Sequence, residues 1–309
     1  KEEQVDYYLT PSADSMESGL KYLVAALIAP KFREDELDRE RQVVLGEYDR
    51  NESSPGFKLE QEMGMKLWDG QWSRKNVIGD RKVLETVTPE QMRTIKNLYY
   101  VPNNSVLIIS GDVNPAKAFA AAEKIFSPWK RGDDPFVKAP IPPIPPLTKN
   151  LAVIDEEPVN AVSVEVQWQG PSVRKDENST FAADVYSDVL NNQQSRFWRK
   201  LVDSGLWQDI VVNYYTLNNV GPITISGQTT PEKLRQALAA MFTELDESVK
   251  PGYFSQEELD ATKANRAVTS AFGEEKSSDF SHTIGFWWAV SGLDYYMKYG
   301  DEMAKRTPQ

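Results

Sequence analysis

Residues 32–55 read FREDELDRERQVVLGEYDRNESSP, and residues 254–260 read FSQEELD. Both stretches open on Phe, pass through acidic residues to Leu-Asp, and enter a charged run of helical composition. Phe32, Leu37 and Asp38 thereby fall opposite Phe254, Leu259 and Asp260, an offset of 222 residues. The surroundings repeat as well. YYLTPSADSMESGLKYLVAALIAP precedes the first stretch and ITISGQTTPEKLRQALAAMFTELDES the second, each a short β-like run, a turn and a helix. A seven-residue match alone is within chance, but the shared order of elements predicts a duplication. The fold class that follows is α+β: two homologous domains, each a mainly antiparallel sheet with helices packed on one side.

Working outward from residue 32, Val5 to Thr10 is β-like. Asp14 stands where it could cap a helix carrying Leu20, Leu23, Val24 and Leu27 at helical spacing. A helix is predicted from Glu34 to Arg50, and another from Ser54-Pro55 toward Trp68. Thr88-Pro89-Glu90-Gln91 is a capping box whose helix runs to Tyr99. Ser105 to Ser110 reads as a buried strand turned at Gly111, and Asn114-Pro115 opens a helix to Phe126. Residues 134–148 hold six prolines. Such a run is expected to form neither a helix nor a central strand, so it is read as a linker between domains 1–133 and 149–309. Beyond it, strands are expected at Leu151–Asp155, Ala161–Trp168, Ile210–Tyr215 and Pro222–Ser226. Helices are expected at Glu177–Leu190, Ser195–Asp203, Pro231–Leu245, Gln256–Ala271 and Phe280–Tyr296.

Composition narrows the function. The 309 residues are 40% hydrophobic and 26% charged, ordinary globular values. With 35 basic and 46 acidic residues the net charge is −11, which argues against a nucleic-acid partner. No apolar run approaches the ~20 residues that span a bilayer. Cys is absent, which removes disulfides and thiolate chemistry. Its avoidance fits a periplasmic or secreted protein, and a cytoplasmic one remains open. The single His, His282, would have to serve any Ser-His-Asp triad, and a zinc site with two His cannot be built from this chain alone.

Few residues stand out as candidates. Glu40 and Glu47 lie two helical turns apart, so both carboxylates share one helix face. The offset of 222 carries them to Thr262 and Thr269, so the second copy lacks the acidic pair. Such a pair either flanks a cation or is a solvated face balanced by Arg39 or Arg41, and the helix alone favours the second reading. His282 is read as a packed or surface residue at a helix start rather than a base. Trp68, Trp72, Trp129, Trp168, Trp198, Trp207, Trp287 and Trp288 are scattered and read as packing residues. Gly111-Asp112 lacks the further glycines of a phosphate loop. Asn191-Asn192-Gln193-Gln194 is a surface turn or part of a binding chamber.

Residues 32–55 resemble a stretch of the insulinase/pitrilysin family of zinc peptidases, peptidase family M16, whose zinc motif is the inverted HxxEH. The resemblance extends through IGDRKVLETVTPEQMRTIKNLYYVPNNSVLIISGDV at 78–113 and LNNQQSRFWRKLVDSGLWQDIVVNYYTLNNVGPITISGQTTPEKL at 190–234. It implies the LuxS/mitochondrial-processing-peptidase-like metallohydrolase fold. It also implies that Glu47 is the third zinc ligand, with Glu40 supporting it. In this family the zinc-bound water, activated by the Glu of HxxEH, attacks a peptide held extended between two clam-like halves.

Two departures limit the carry-over. HxxEH is absent, so the chain is expected to be a fragment cut at both ends, inactive alone and without bound zinc. The positions where many members carry an Arg and a Tyr that hold the substrate carbonyl read Val202 and Gln208, so a homologous partner subunit or second half would supply that pair. The expectation is thus part of a zinc metalloendopeptidase for peptides or unfolded polypeptides. The alternatives are a non-catalytic peptidase-like partner or scaffold subunit, and a peptide-binding, chaperone-like module.

Overall fold

The computed structural model describes residues 1–68, 71, 74 and 76–308. The chain is a mixed α+β protein and divides into two units. The first comprises 1–65, 70–143 and 276–286, and the second 66–69, 144–275 and 287–309.

The first unit is built from helices set by their caps. A 3-10 turn, Ala13–Ser15, leads into α1, Met16–Ile28. Asp14 lies inside that turn, and no side chain caps α1, so the expected Asp14 cap does not form. α2 spans Glu34–Glu52 and α3 Phe57–Trp68, whose last residues belong to the second unit. α4, Arg81–Thr86, was not anticipated from the sequence. Its signal is Asp80, whose side chain accepts from the Lys82 and Val83 N–H groups and so satisfies two orphan donors. α5, Pro89–Tyr99, opens on the full capping box: Thr88 accepts from the Gln91 N–H at 3.3 Å, and the Gln91 side chain accepts from the Thr88 N–H at 2.8 Å. α6, Pro115–Phe126, starts at an Asn114 cap on the Lys117 N–H. α7, Pro135–Lys138, lies inside the proline-rich run and corrects the expectation that this run forms no helix. A proline in the first turn has no N–H to lose, and Asp134 caps the Phe136 N–H.

Among the described residues the first unit holds no β-strand. Among the described residues, Val5–Thr10 and Ser105–Ser110, expected as strands, do not form strands, and neither does Leu151–Asp155 in the second unit. A strand is stabilised by its neighbour's backbone, and apolar composition alone does not supply one. Val106 and Leu107 are exposed rather than buried.

The second unit holds the sheet. β1 (Val162–Gln169), β2 (Asp209–Tyr214) and β3 (Pro222–Thr229) pair antiparallel in the order β1-β3-β2, with Val162 opposite Thr229 and Asp209 opposite Gln228. β2 alternates strictly: Ile210, Val212 and Tyr214 are buried, and Asp209, Val211 and Asn213 are exposed. α8, Glu177–Asn191, packs against β2. The chain then turns through α9, Arg196–Trp198, into a π-helical stretch, Arg199–Asp203. Phe197, Leu201, Trp207, Ile225 and Met241 complete the core on this side, with Met241 from α10, Leu234–Ser248. A second cluster joins Phe181, Val185 and Val189 of α8 to Leu259 of α11, Gln256–Gly273, and to Tyr295 and Met303 of α13, Leu293–Ala304.

One long helix was expected over 280–296. Instead α12, Ser277–Val290, ends before Gly292, which adopts φ +86° and ψ 155°, a region that a side chain makes costly.

The offset of 222 carries Glu34 onto Gln256, the first residue of α11, and Trp68 onto Val290, the last of α12.

Candidate functional site

The α2 helix presents two sides to two environments. Arg41 is turned inward and donates to the backbone carbonyls of Leu84 at 2.6 Å and Val87 at 2.9 Å, which ties α2 to α4. One heptad on, Tyr48 is buried, edge-on to Phe57 and under the Arg81 guanidinium. One residue round the helix from these, about 100°, Glu40 and Glu47 are both exposed. The arginines expected to balance them are engaged elsewhere. Arg39 pairs with Asp35 at 3.7 Å, and Arg41 reaches the Leu84 and Val87 carbonyls and Asp38. The solvated-pair reading therefore loses its named partners. Two carboxylates share an exposed helix face with half-buried Leu37 and Val44 beside them.

The same face in the second unit is covered over its first part. The positions equivalent to Leu37, Glu40 and Val44 are Leu259, Thr262 and Arg266. Leu259 and Thr262 are buried, and α11 packs on α8. Thr262 lies 3.5 Å from the Asn192 amide, and Arg266 reaches Asp184 and Asp188. Thr269, the counterpart of Glu47, is exposed.

Among the described residues, no group of three or more His, Cys, Asp or Glu is placed to hold a metal ion. Zinc needs three protein ligands even in an open catalytic site, and among the described residues the α2 face offers one exposed carboxylate and a neighbour. The described residues do not by themselves fit a zinc ion, and no catalytic step is assigned to one within them.

The other candidates have structural employment. His282 sits within α12 with Nδ1 3.7 Å from an Asp6 oxygen and its ring edge-on to Tyr8. Val202 lies in the π-helical stretch, half-buried against the core, and offers no donor. Gln208 exposes its side chain at the start of β2, where its N–H donates to the Gln228 carbonyl at 2.7 Å. The Asn191–Gln194 segment is a pinned turn. The Asn191 amide both donates to the Val212 carbonyl, at 2.6 Å, and accepts from the Val212 N–H, at 2.8 Å. Trp68 and Trp207 are buried, Trp198 and Trp287 pack against the two cores, and Trp129 donates to the Tyr100 carbonyl. Trp168 and Trp288 are exposed, and Trp72 lies outside the described residues.

Sequence reasoning missed the Asp184–Arg266–Asp188 cluster. Its only signal is an acidic i, i+4 pair inside the otherwise apolar run FAADVYSDVL at 181–190.

Comparison with known proteins follows the same lines. A family model described as the peptidase M16 inactive domain matches residues 86–266. The zinc protease PqqE of Helicobacter pylori is 24% identical over 277 residues, 88% of this chain and 62% of that protein. This chain thus spans less than two thirds of that relative's length. The crystal structure of a protease from Helicobacter pylori superposes with TM-score 0.80 at 22% identity, covering 96% of this chain and 73% of that one. The first half of the periplasmic protease PqqL from Escherichia coli superposes with TM-score 0.65 at 18% identity, covering 98% and 67%.

Proposed function

This chain belongs to the peptidase M16 family, and on that premise we propose that it is part of a zinc-dependent endopeptidase acting on peptides or unfolded polypeptides. In this reading Glu47 is the third zinc ligand and Glu40 orients it, while the two imidazoles and the general base come from outside these residues. Residues 1–133 are the C-terminal part of a metal-binding domain. Residues 134–148 are a linker, and 149–309 form a homologous domain that binds no metal. Val202 and Gln208 leave the grip on the substrate carbonyl to a partner half. The chain by itself hydrolyses nothing. Among the described residues no helix is long and apolar enough to cross a membrane, and the placement proposed is periplasmic or secreted.

One observation carries this reading. The α2 face bearing Glu40 and Glu47 is equivalent to the α11 face that packs on α8. On α8 the side chains that meet it, Asp184 and Asp188, are spaced i and i+4. Both meet it at Arg266, the counterpart of Val44, so a helix laid on α2 in the same manner presents i, i+4 side chains at Val44, between Glu40 and Glu47, and this is the spacing of the two His in HxxEH.

The test is zinc analysis and a peptidase assay on the complete gene product and its Glu47→Gln variant. The expected result is one zinc per site in the parent, and at least a hundredfold lower activity with weakened zinc retention in the variant. A variant that keeps both metal and activity removes Glu47 from the site.

A second reading, a non-catalytic peptidase-like partner or scaffold subunit, is favoured by the inactive-domain match. It predicts no zinc and no hydrolysis in the complete gene product, and retained binding to a catalytic homologue.

A further inference from the structure

In the second unit, two carboxylates and one guanidinium meet at the junction of three helices. Asp184 and Asp188 lie one turn apart on α8, and Arg266 reaches them from α11. The guanidinium fork is committed to Asp188: Nε donates to Oδ2 and Nη2 to Oδ1, the latter at 2.8 Å. Asp184 is left with its Oδ1 3.9 Å from Nη2, an ion-pair distance too long for a hydrogen bond. Its Oδ2 accepts from the Tyr299 hydroxyl of α13 at 2.9 Å and from the Thr216 hydroxyl, just after β2, at 3.3 Å. The Tyr299 oxygen in turn accepts from Arg266 Nη1 at 3.1 Å.

The charges facing Asp184 are therefore few. α8 contributes Asp188, α11 contributes Arg266, and α13 contributes the neutral phenols of Tyr299 and Tyr295. Burial holds both phenols protonated. The segment after β2 brings only the Thr216 hydroxyl. Two carboxylates share one cation, and the one with the weaker share is only 6% exposed. A buried charge without a full partner costs several kcal/mol, and a proton on Asp184 removes it.

We propose that Asp184, Asp188 and Arg266 form a proton-binding clamp between α8, α11 and α13, which holds tightest when Asp184 is protonated and slackens as it ionises. Protonated on Oδ1, Asp184 gives up only the 3.9 Å ion pair with Arg266 and keeps both of its hydrogen bonds. It accepts from Tyr299 and Thr216 through one oxygen, and the Arg266–Asp188 pair is left balanced. Burial pushes the Asp184 carboxyl up to about 6 against the pull of Arg266, in the direction the geometry requires. The clamp stands independently of the metal reading of α2, because none of its members belongs to that face.

The experiment measures proton uptake on refolding of the whole chain from urea between pH 4.5 and 7.5. At pH 5 the parent is expected to take up close to one proton more than Asp184→Asn. Asp188→Asn frees Arg266 to pair with Asp184, so it too loses most of that uptake. Equal uptake in the parent and Asp184→Asn overturns the proposal. If Asp184→Asn does not fold, the backbone-assigned 13C carboxyl resonance of Asp184 in the parent decides: a titration midpoint near 6 supports the clamp, and one near 4 ends it.

Discussion

Arg39 and Arg41 stand two residues apart on α2 and meet different neighbours. Arg41 is half-buried and makes two charge-assisted hydrogen bonds, to the carbonyls of Leu84 in α4 and of Val87 just after it. Its replacement by Ala strands both acceptors and is expected to lower stability by about 2–3 kcal/mol in urea unfolding. Arg39→Ala removes an exposed pair with Asp35 and should change stability by no more than about 0.5 kcal/mol. The sequence offered both arginines equally as partners for Glu40 and Glu47. Nothing in it ranks them, because the carbonyls that claim Arg41 belong to a six-residue helix and the residue that caps it, too short a stretch to show a periodicity.

The pH behaviour also belongs at this scale. The folded-state pKa of Asp184, raised to about 6, lies above its unfolded value of about 3.9. Its contribution to stability is therefore full below about pH 4 and is lost as the pH rises through about 6, by an amount on the order of 2–3 kcal/mol. Urea unfolding profiles should accordingly show that Asp184→Asn flattens the pH dependence between 5 and 7.5.

At the scale of elements, caps and breaks decide the boundaries. The Thr88 capping box and the Asn114 helix start could both be placed from sequence, because each is a local pattern of side chain and N–H. The break at Gly292 could not, since a glycine within an apolar helical run is compatible with both continuation and ending. No heavy atom lies within 4 Å of a Cβ added there, so Gly292→Ala tests backbone strain alone. A loss of about 1–3 kcal/mol by thermal or urea unfolding is expected. The segments 5–10 and 105–110 fail for the opposite reason. Their composition suits a strand, but a ladder depends on a partner that local sequence does not encode.

For the whole molecule, the duplication was legible because the two acidic helix entries lie at a constant offset, and that offset also aligns the starts of α2 and α11. The proposed site rests on family resemblance alone: Glu40 and Glu47 carry no local sign of a ligand, and among the described residues no metal-holding group surrounds them. Added zinc, or its removal by a chelator, is accordingly expected to leave the melting temperature of this chain unchanged within about 1 °C at pH 7. A zinc-dependent rise of several degrees would mean that the chain holds a site of its own.

The Asn191 amide, seated on the Val212 main chain, has a consequence for how these molecules behave in company. β2 is an outermost strand, and Val212 is where its outward N–H and C=O would greet a foreign strand. A side chain from the same molecule already sits there, so this edge of the sheet is blunted at Val212 as a template for growth. Asn191→Ala vacates the berth, and concentrated samples of that variant should scatter more light on standing than the parent does.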